Sequence, residues 1–337
     1  MAQEIYLFNP DHDLALAQGG DHYVAPPCVR QLQHDLSSLP ASYAPQGASV
    51  MELGQPLPQQ WRRAVFRPWG WNRVVRKRLI RMGAHPESLP SEAALDRFRR
   101  LSHRRTTIDI HRRVSELLGC RFTEFPVETF TVAETVRFAR EHPGCYVKLP
   151  WSGSGRGVMR VGQGQDNAFF ERWVRGGLRR QGSLLCEVGV ERVMDCAIEL
   201  ECRGGVLKFV GYSIFESDAH HQYAQSLVDT RQALRARIVA LYPGFDQVVE
   251  AVMQALGELV CRYLPDTHLG VDMLLYSSGG AIGINPCVEL NLRATMGLVA
   301  AALGERGRGP ATLRVQRREG RYALVVAPLE PAHFSSL

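Results

Sequence analysis

The alternation of apolar and polar positions is sharpest in the last third of the chain. Residues 270–276 (GVDMLLY) and 284–293 (INPCVELNLR) predict two strands joined by a Ser-Ser-Gly-Gly turn over residues 277–280. Side chains of a strand alternate between its faces, so Glu289 and Asn291 leave together while Val288 and Leu290 take the other side. Asp272, near the start of the partner strand, is placed to meet them across the hairpin. Two carboxylates and an amide oxygen without histidine or cysteine make a hard-oxygen set, the kind Mg2+ takes when it bridges to phosphates. The same pattern also describes the polar outer face of an ordinary hairpin.

Taken in order, residues 4–8 form an apolar strand that runs into a loop carrying Asn9, Asp11, His12 and Asp13. A polar cluster at the carboxyl end of a first strand is where open α/β sheets bind ligands. It equally reads as a capped turn into a helix over 14–17. Residues 64–66 are a second short strand, leading to a loop with Trp69, Trp71 and Asn72. Tryptophans there line a pocket or plug a domain interface. Amphipathic helices are predicted over 72–82, 91–101 and 102–118, the last ended by Gly119. A strand-like segment covers 124–130, and Thr131 caps a helix over 132–141.

Residues 144–150 are a strand delivering Lys148 to a Gly/Ser-rich loop (151–157) that contains Ser154, Gly155 and Gly157, and another strand follows at 158–161. Backbone amides of such a loop can cover phosphates. It is neither a P-loop nor a dinucleotide fingerprint, because a strand rather than a helix comes next. A helix over 167–180 precedes strand 183–187, which ends on Glu187 and opens the linker 188–190. Asp195 and Glu199 lie on the next apolar strand, and residues 206–210 continue the sheet. A polar loop at 217–223 holds the His220–His221 pair. Helices over 229–242 and 245–264 precede the hairpin, and a helix over 295–303 and a terminal hairpin over 312–327 follow it.

Composition narrows the function classes. A chain of 337 residues, 45% of them hydrophobic, suggests two or three ordinary globular domains. The opening residues lack the basic segment of a signal peptide, and no apolar run reaches membrane-spanning length, so a cytoplasmic protein is expected. The 8 cysteines include no CxxC and have no spaced histidine partners, which reads as free thiols in a reducing compartment rather than a zinc site. The formal charge of +6 is concentrated in an arginine-rich block over 61–113. Such a block binds nucleic acid or steers an anionic substrate, but no helix-turn-helix, RNP or zinc-finger pattern accompanies it. Lysine occurs only as Lys77, Lys148 and Lys208, and where arginine is used almost everywhere a retained lysine points to a need for a compact charge.

The ordered set of Lys148 on a strand, the loop at 152–157, Glu187 at a linker, Asp195, Asp272 in Gly-Val-Asp, and Glu289-Leu-Asn291-Leu-Arg293 resembles the ATP-grasp superfamily. The resemblance covers residues 102–303. It implies an α/β fold of two lobes clamping ATP, preceded by an N-terminal α/β domain. The boundaries would be residues 1–101, 102–186 (small lobe with the glycine loop) and 187–337 (large lobe with the metal hairpin).

Carried residue by residue, the resemblance has Lys148 contact ATP phosphates while Ser154, Gly155 and Gly157 close over them. Glu187 and Val190 would hold adenine, and Asp195 the ribose. Asp272, Glu289 and Asn291 would bind one or two Mg2+ ions, with Mn2+ as a substitute, and Arg293 would neutralise the transferred phosphoryl group. Arg104 or Arg105 stands in for the basic residue that the family carries before its first lobe. Two departures are visible: Gly270 where many members have a cation, and Asn291-Leu-Arg293 in place of Asn-Pro-Arg.

The function implied is an ATP- and Mg2+-dependent ligase. It would activate a carboxylate as an acylphosphate for attack by an amine or thiol, with the small-molecule substrates among Asn9, Asp11, His12, Asp13, Trp69, Trp71, Asn72, His220 and Arg293. Homodimers are common in the family. Gly270 and the altered Asn-Leu-Arg suggest the alternative of a non-catalytic ATP-binding module. The remote alternative is nucleic-acid binding through the arginine block.

Overall fold

The computed structural model describes residues 3–20, 22–153, 155, 157–162, 167–218 and 222–329. The first sheet is parallel, with β1 (Glu4–Leu7) between β2 (Ser49–Met51) and β3 (Val65–Pro68). Around it lie α1 (His12–Gln18), α2 (Pro27–Asp35), α3 (Arg73–Met82) and α4 (Glu92–Leu101). Neither β2 nor α2 was predicted. α2 opens on a proline, as first turns allow, but fully buries only Val29 and Gln33, too thin a stripe to read as periodic. α5 (Thr106–Leu118) follows and ends on Gly119 at φ 63°, as expected.

The second sheet is antiparallel and four-stranded. In chain order it consists of β4 (Val127–Thr129), α6 (Val132–Glu141), β5 (Tyr146–Lys148), β6 (Val158–Arg160), α7 (Asn167–Gln181) and β7 (Leu184–Glu187), with strand order β4-β7-β5-β6. α6 starts with a reciprocal cap between Thr131 and Glu134, a device that satisfies two otherwise orphaned amides. The sheet and its two helices close on their own core around Val147, Phe170, Val174 and Leu184.

The third sheet is also antiparallel, with strand order β12-β11-β8-β9-β10-β13-β14. Its parts are β8 (Glu191–Arg203), β9 (Val206–Ser217), β10 (Tyr223–Val228), α8 (Arg231–Leu241), α9 (Phe245–Leu259), β11 (Thr267–Ser278), β12 (Ala281–Asn291), α10 (Met296–Glu305), β13 (Ala311–Arg318) and β14 (Arg321–Pro328). The predicted hairpin is β11–β12, turned by Gly279 and Gly280 in left-handed conformation. β10 was not predicted, because Gln225, Ser226, Leu227 and Val228 are all buried and leave no alternation to see.

The period of two decides which face of β8 does what. Met194, Cys196, Ile198, Leu200 and Cys202 enter the large core with α8 and α9, whereas Asp195, Ala197 and Glu199 face a cavity on the other side. That large core is continuous with the first sheet through Ile5, Leu7 and Phe66 and with α3 through Leu79, and it takes the buried face of α5 (Ile110, Val114). The boundaries we propose at 101/102 and 186/187 thus group α5 with the small lobe in sequence, while its packing belongs to the large core.

One expectation changes here. Cys202 and Cys261 form a disulfide, so not all the cysteines are free thiols. The fold brings together two buried residues 59 positions apart, which spacing could not reveal. Many arginines of the basic block are engaged inside the chain, as Arg67 is with Glu4, Arg73 with Asp96 and Arg113 with Glu258. No helix among the described residues is long and apolar enough to cross a membrane.

Candidate active site

A cavity of about 610 Å3 lies where the three sheets meet. Phe8 and Trp69 reach it from the first sheet, Lys148 and the glycine loop from the second, and Asp195, Glu199, Asp272 and Glu289 from the third. β5 and β7 run antiparallel with Lys148 opposite Leu185 and Tyr146 opposite Glu187, so Lys148 and Glu187 are diagonal neighbours on one face, and Lys148 Nζ donates to Glu187 Oε2 at 2.5 Å. Lys148 is buried, and a buried ammonium needs such a partner. Val188 and Val190 continue the wall beside Glu187, and Asp195 follows, ion-paired to Arg192.

On β11–β12, Asp272 stands directly opposite Glu289. Asn291 Nδ2 donates to Asp272 Oδ2 at 3.1 Å, which leaves the amide oxygen of Asn291 available. Desolvation, with Glu289 and Glu199 close by, pushes the Asp272 carboxyl well above the usual range. No ion pair neutralises Asp272 among the described residues. Facing carboxylates in that state fit a divalent cation, and the donor set of carboxylates and one amide oxygen suits Mg2+.

Arg104 ties this cluster to the glycine loop. Its guanidinium donates to Glu289 Oε1 at 2.6 Å, to Leu149 O at 2.7 Å, and to Ser152 through both backbone O and Oγ. Arg105, the other stand-in for the family's basic residue, points away and pairs with Glu128. Arg293 donates through Nε to Asp13 at 3.0 and 3.2 Å. Desolvation opposes the charge on Asp13, yet Arg293, with His12 and Arg104, holds its carboxyl below the usual range. The loop presses on this pair: a methyl group on Gly153 would run into Asp13 Oδ2.

Glu199 is a group that sequence reasoning did not assign. It is 2% exposed, and its partner across β11 is Gly270. A side chain at Gly270 would meet Thr295 Cγ2 at 2.8 Å and Glu199 Oε2 at 3.1 Å, so the position where a cation was missed is filled by these two. Thr295 Oγ1 donates to Glu199 Oε2 at 2.7 Å and accepts from Leu298 N, capping α10. Burial pushes the Glu199 carboxyl up to about 7, with Thr295 and Arg293 only partly opposing it.

The remaining candidates divide. Gly155, Gly157, Asp13 and Trp69 line the cavity. Asn9, Asp11, Trp71 and Asn72 do not reach it. Asn9 clamps Gly70 through two hydrogen bonds, Asp11 lies 3.9 Å from Arg78, Trp71 Nε1 donates to Asp266 O, and Asn72 caps α3. His12 is buried against Asn72 and the Phe98 ring, and burial pushes its pKa down to about 4. These four polar groups fix the turn after β1 and the tryptophan loop, which in turn place Asp13 and Trp69. Ser154 and His220 lie outside the described residues.

No family model matches the sequence, and neither does any curated protein. Solved structures do match, along most of the chain. N5-carboxyaminoimidazole synthetase from Staphylococcus aureus, complexed with ADP, is 11% identical with a TM-score of 0.50, covering 93% of this chain and 82% of that one. Carboxyaminoimidazole ribonucleotide synthase from Aspergillus clavatus, complexed with ATP, is 12% identical with a TM-score of 0.50, covering 93% and 81%. Biotin carboxylase from Campylobacter jejuni, in a β-γ-ATP complex, is 12% identical with a TM-score of 0.50, covering 95% and 78%. At such identities the likeness is one of fold, and it takes in 93–95% of the chain. The chain has the ATP-grasp fold.

Proposed function

We propose that this protein is an ATP- and Mg2+-dependent ligase that activates a small-molecule carboxylate as an acylphosphate for attack by an amine or thiol. The observation that carries the reading is the facing pair Asp272–Glu289, with Asn291 beside it, across one cavity from Lys148 and Glu187. In this reading Lys148 binds phosphate oxygens, Glu187 and Val190 hold the adenine, and Asp195 holds the ribose. Gly155 and Gly157 bring backbone amides over the phosphates. Asp272, Glu289 and Asn291 hold Mg2+, which when bound neutralises charge on the phosphates. Arg104 couples closure of the glycine loop to Glu289, and Arg293, positioned by Asp13, neutralises charge on the phosphoryl group as it passes to the substrate carboxylate. The nucleophile then closes its bond to the acyl carbon, losing a proton, and phosphate leaves with the electron pair of the broken C–O bond.

Glu289→Ala tests the site. MgADP binding, measured by calorimetry, is expected to be lost in the variant and to require Mg2+ in the wild type. Mg2+-dependent ADP binding and ATP turnover that survive the substitution would sink the assignment. Gly270 favours a second reading, a nucleotide-binding module without turnover. ADP release measured against a panel of amino acids and small carboxylates separates the two, since tight MgADP binding with no turnover on any of them fits only the module.

A further inference from the structure

The part of the cavity that the nucleotide roles leave unused has its own chemistry. Glu199 is buried at its wall with a single donor, Thr295, and no ion pair among the described residues. Ser213, on the neighbouring strand β9, is 0% exposed, lines the same cavity, and its Oγ has no hydrogen-bond partner among the described residues. Both groups converge over the first turn of α10, where a methyl on Gly297 would collide with Glu199 Oε1 and lie 2.7 Å from Ser213 Oγ. Thr295 engages Oε2, so Oε1 and the serine hydroxyl are the groups left to meet a ligand. Beyond them the wall turns apolar, with Phe8, Leu36, Trp69, Met296 and Val315.

Buried charges and hydroxyls are partnered, and here the described residues offer no hydrogen-bond donor to Glu199 Oε1 and no partner to Ser213 Oγ. The matching group carries positive charge and several donors, which describes an ammonium; a thiol offers one weak donor and no charge. We propose that Glu199 and Ser213 bind the amino group of the acceptor, a primary amine whose apolar body lies against Trp69 and Met296. This rests on the ligase reading for its place in the reaction, where it makes the product bond C–N.

The test uses the full chain at pH 8 and calorimetric titration with n-hexylamine, 1-hexanol and hexanoate, with MgADP titrated into the same samples. The wild type is expected to bind hexylamine roughly tenfold or more tighter than the alcohol or the acid, the weight of a charged hydrogen bond. Glu199→Gln should erase that preference. Ser213→Ala, which removes a hydroxyl with no partner among the described residues, should weaken hexylamine several-fold and keep the proposal testable should the glutamine variant not fold. Equal binding of hexanol and hexylamine, or an amine preference untouched by either substitution, overturns the proposal. MgADP binding without amine selectivity would sink this inference alone. Amine selectivity without MgADP binding would sink the ligase reading and leave the amine site standing.

Discussion

Replacing Glu199 by glutamine should make the protein more stable at high pH and change little at low pH. The perturbation is almost isosteric: the amide oxygen can still accept from Thr295 Oγ1, now 2.7 Å from Glu199 Oε2, and only the ionisation is removed. Burial moves that ionisation from the ordinary 4.5 to about 7. Between those values the folded chain holds a proton that the unfolded chain has released, so unfolding free energy falls as pH rises. The stabilisation is complete below 4.5 and lost by the time pH has passed through 7. At about 1.4 kcal/mol per tenfold in the ionisation constant, the loss amounts to roughly 3 kcal/mol. Urea unfolding of both chains at pH 5 and pH 8.5 measures it, with the difference between them cancelling every other titrating group. The hydrogen bond from Thr295 is kept in both chains, so the change in their separation between the two pH values is the quantity to read. If the two chains keep the same separation across the range, Glu199 is not desolvated as described.

Lys148→Ala should cost about 3 kcal/mol, because it strips the countercharge from Glu187, and Lys148→Ala/Glu187→Ala should recover most of it in a urea double-mutant cycle. His12, His103 and His268 are pushed by burial down to about 4, 3 and 4, so the fold keeps them neutral, and the stability they contribute is whole above 6.5 and lost as pH falls toward 4. Their ring C–H resonances should stay at the neutral position from pH 7.5 to 5.5; a midpoint near 6.5 for any of them would show that ring to be solvated.

The hairpin, the glycine loop and the lysine strand were legible because each is local. β11–β12 announces itself through alternation and a Gly-Gly turn, and β5 through a short apolar run ending on Lys148. What stayed hidden depends on contacts between distant segments. Arg104 looks like any other arginine of a basic block until it meets Glu289, 185 residues later. Among Asn9, Asp11, His12 and Asp13 only Asp13 lines the cavity, since four residues of difference decide between a clamp on Gly70 and a contact with Arg293. β10 escaped for the opposite reason, being buried through Gln225 to Val228 and so without alternation.

Gly270 shows how a departure read from sequence alone changes meaning once its neighbours are known. By itself it is an absence, a position without the cation that the resemblance leads one to expect. In the fold it is the register partner of Glu199 and lies under Thr295 Cγ2, so it supplies the space into which a buried acid is folded. Gly297 does the same from the other side. Two glycines on separate elements thus hold one carboxylate against a cavity wall, next to a serine hydroxyl without a partner among the described residues. A cation at position 270 would compete for that carboxylate and neutralise it within the protein. Without one, neutralisation is left to what enters the cavity, so the same substitution that argues for a module without turnover also creates the condition for selecting a positively charged acceptor.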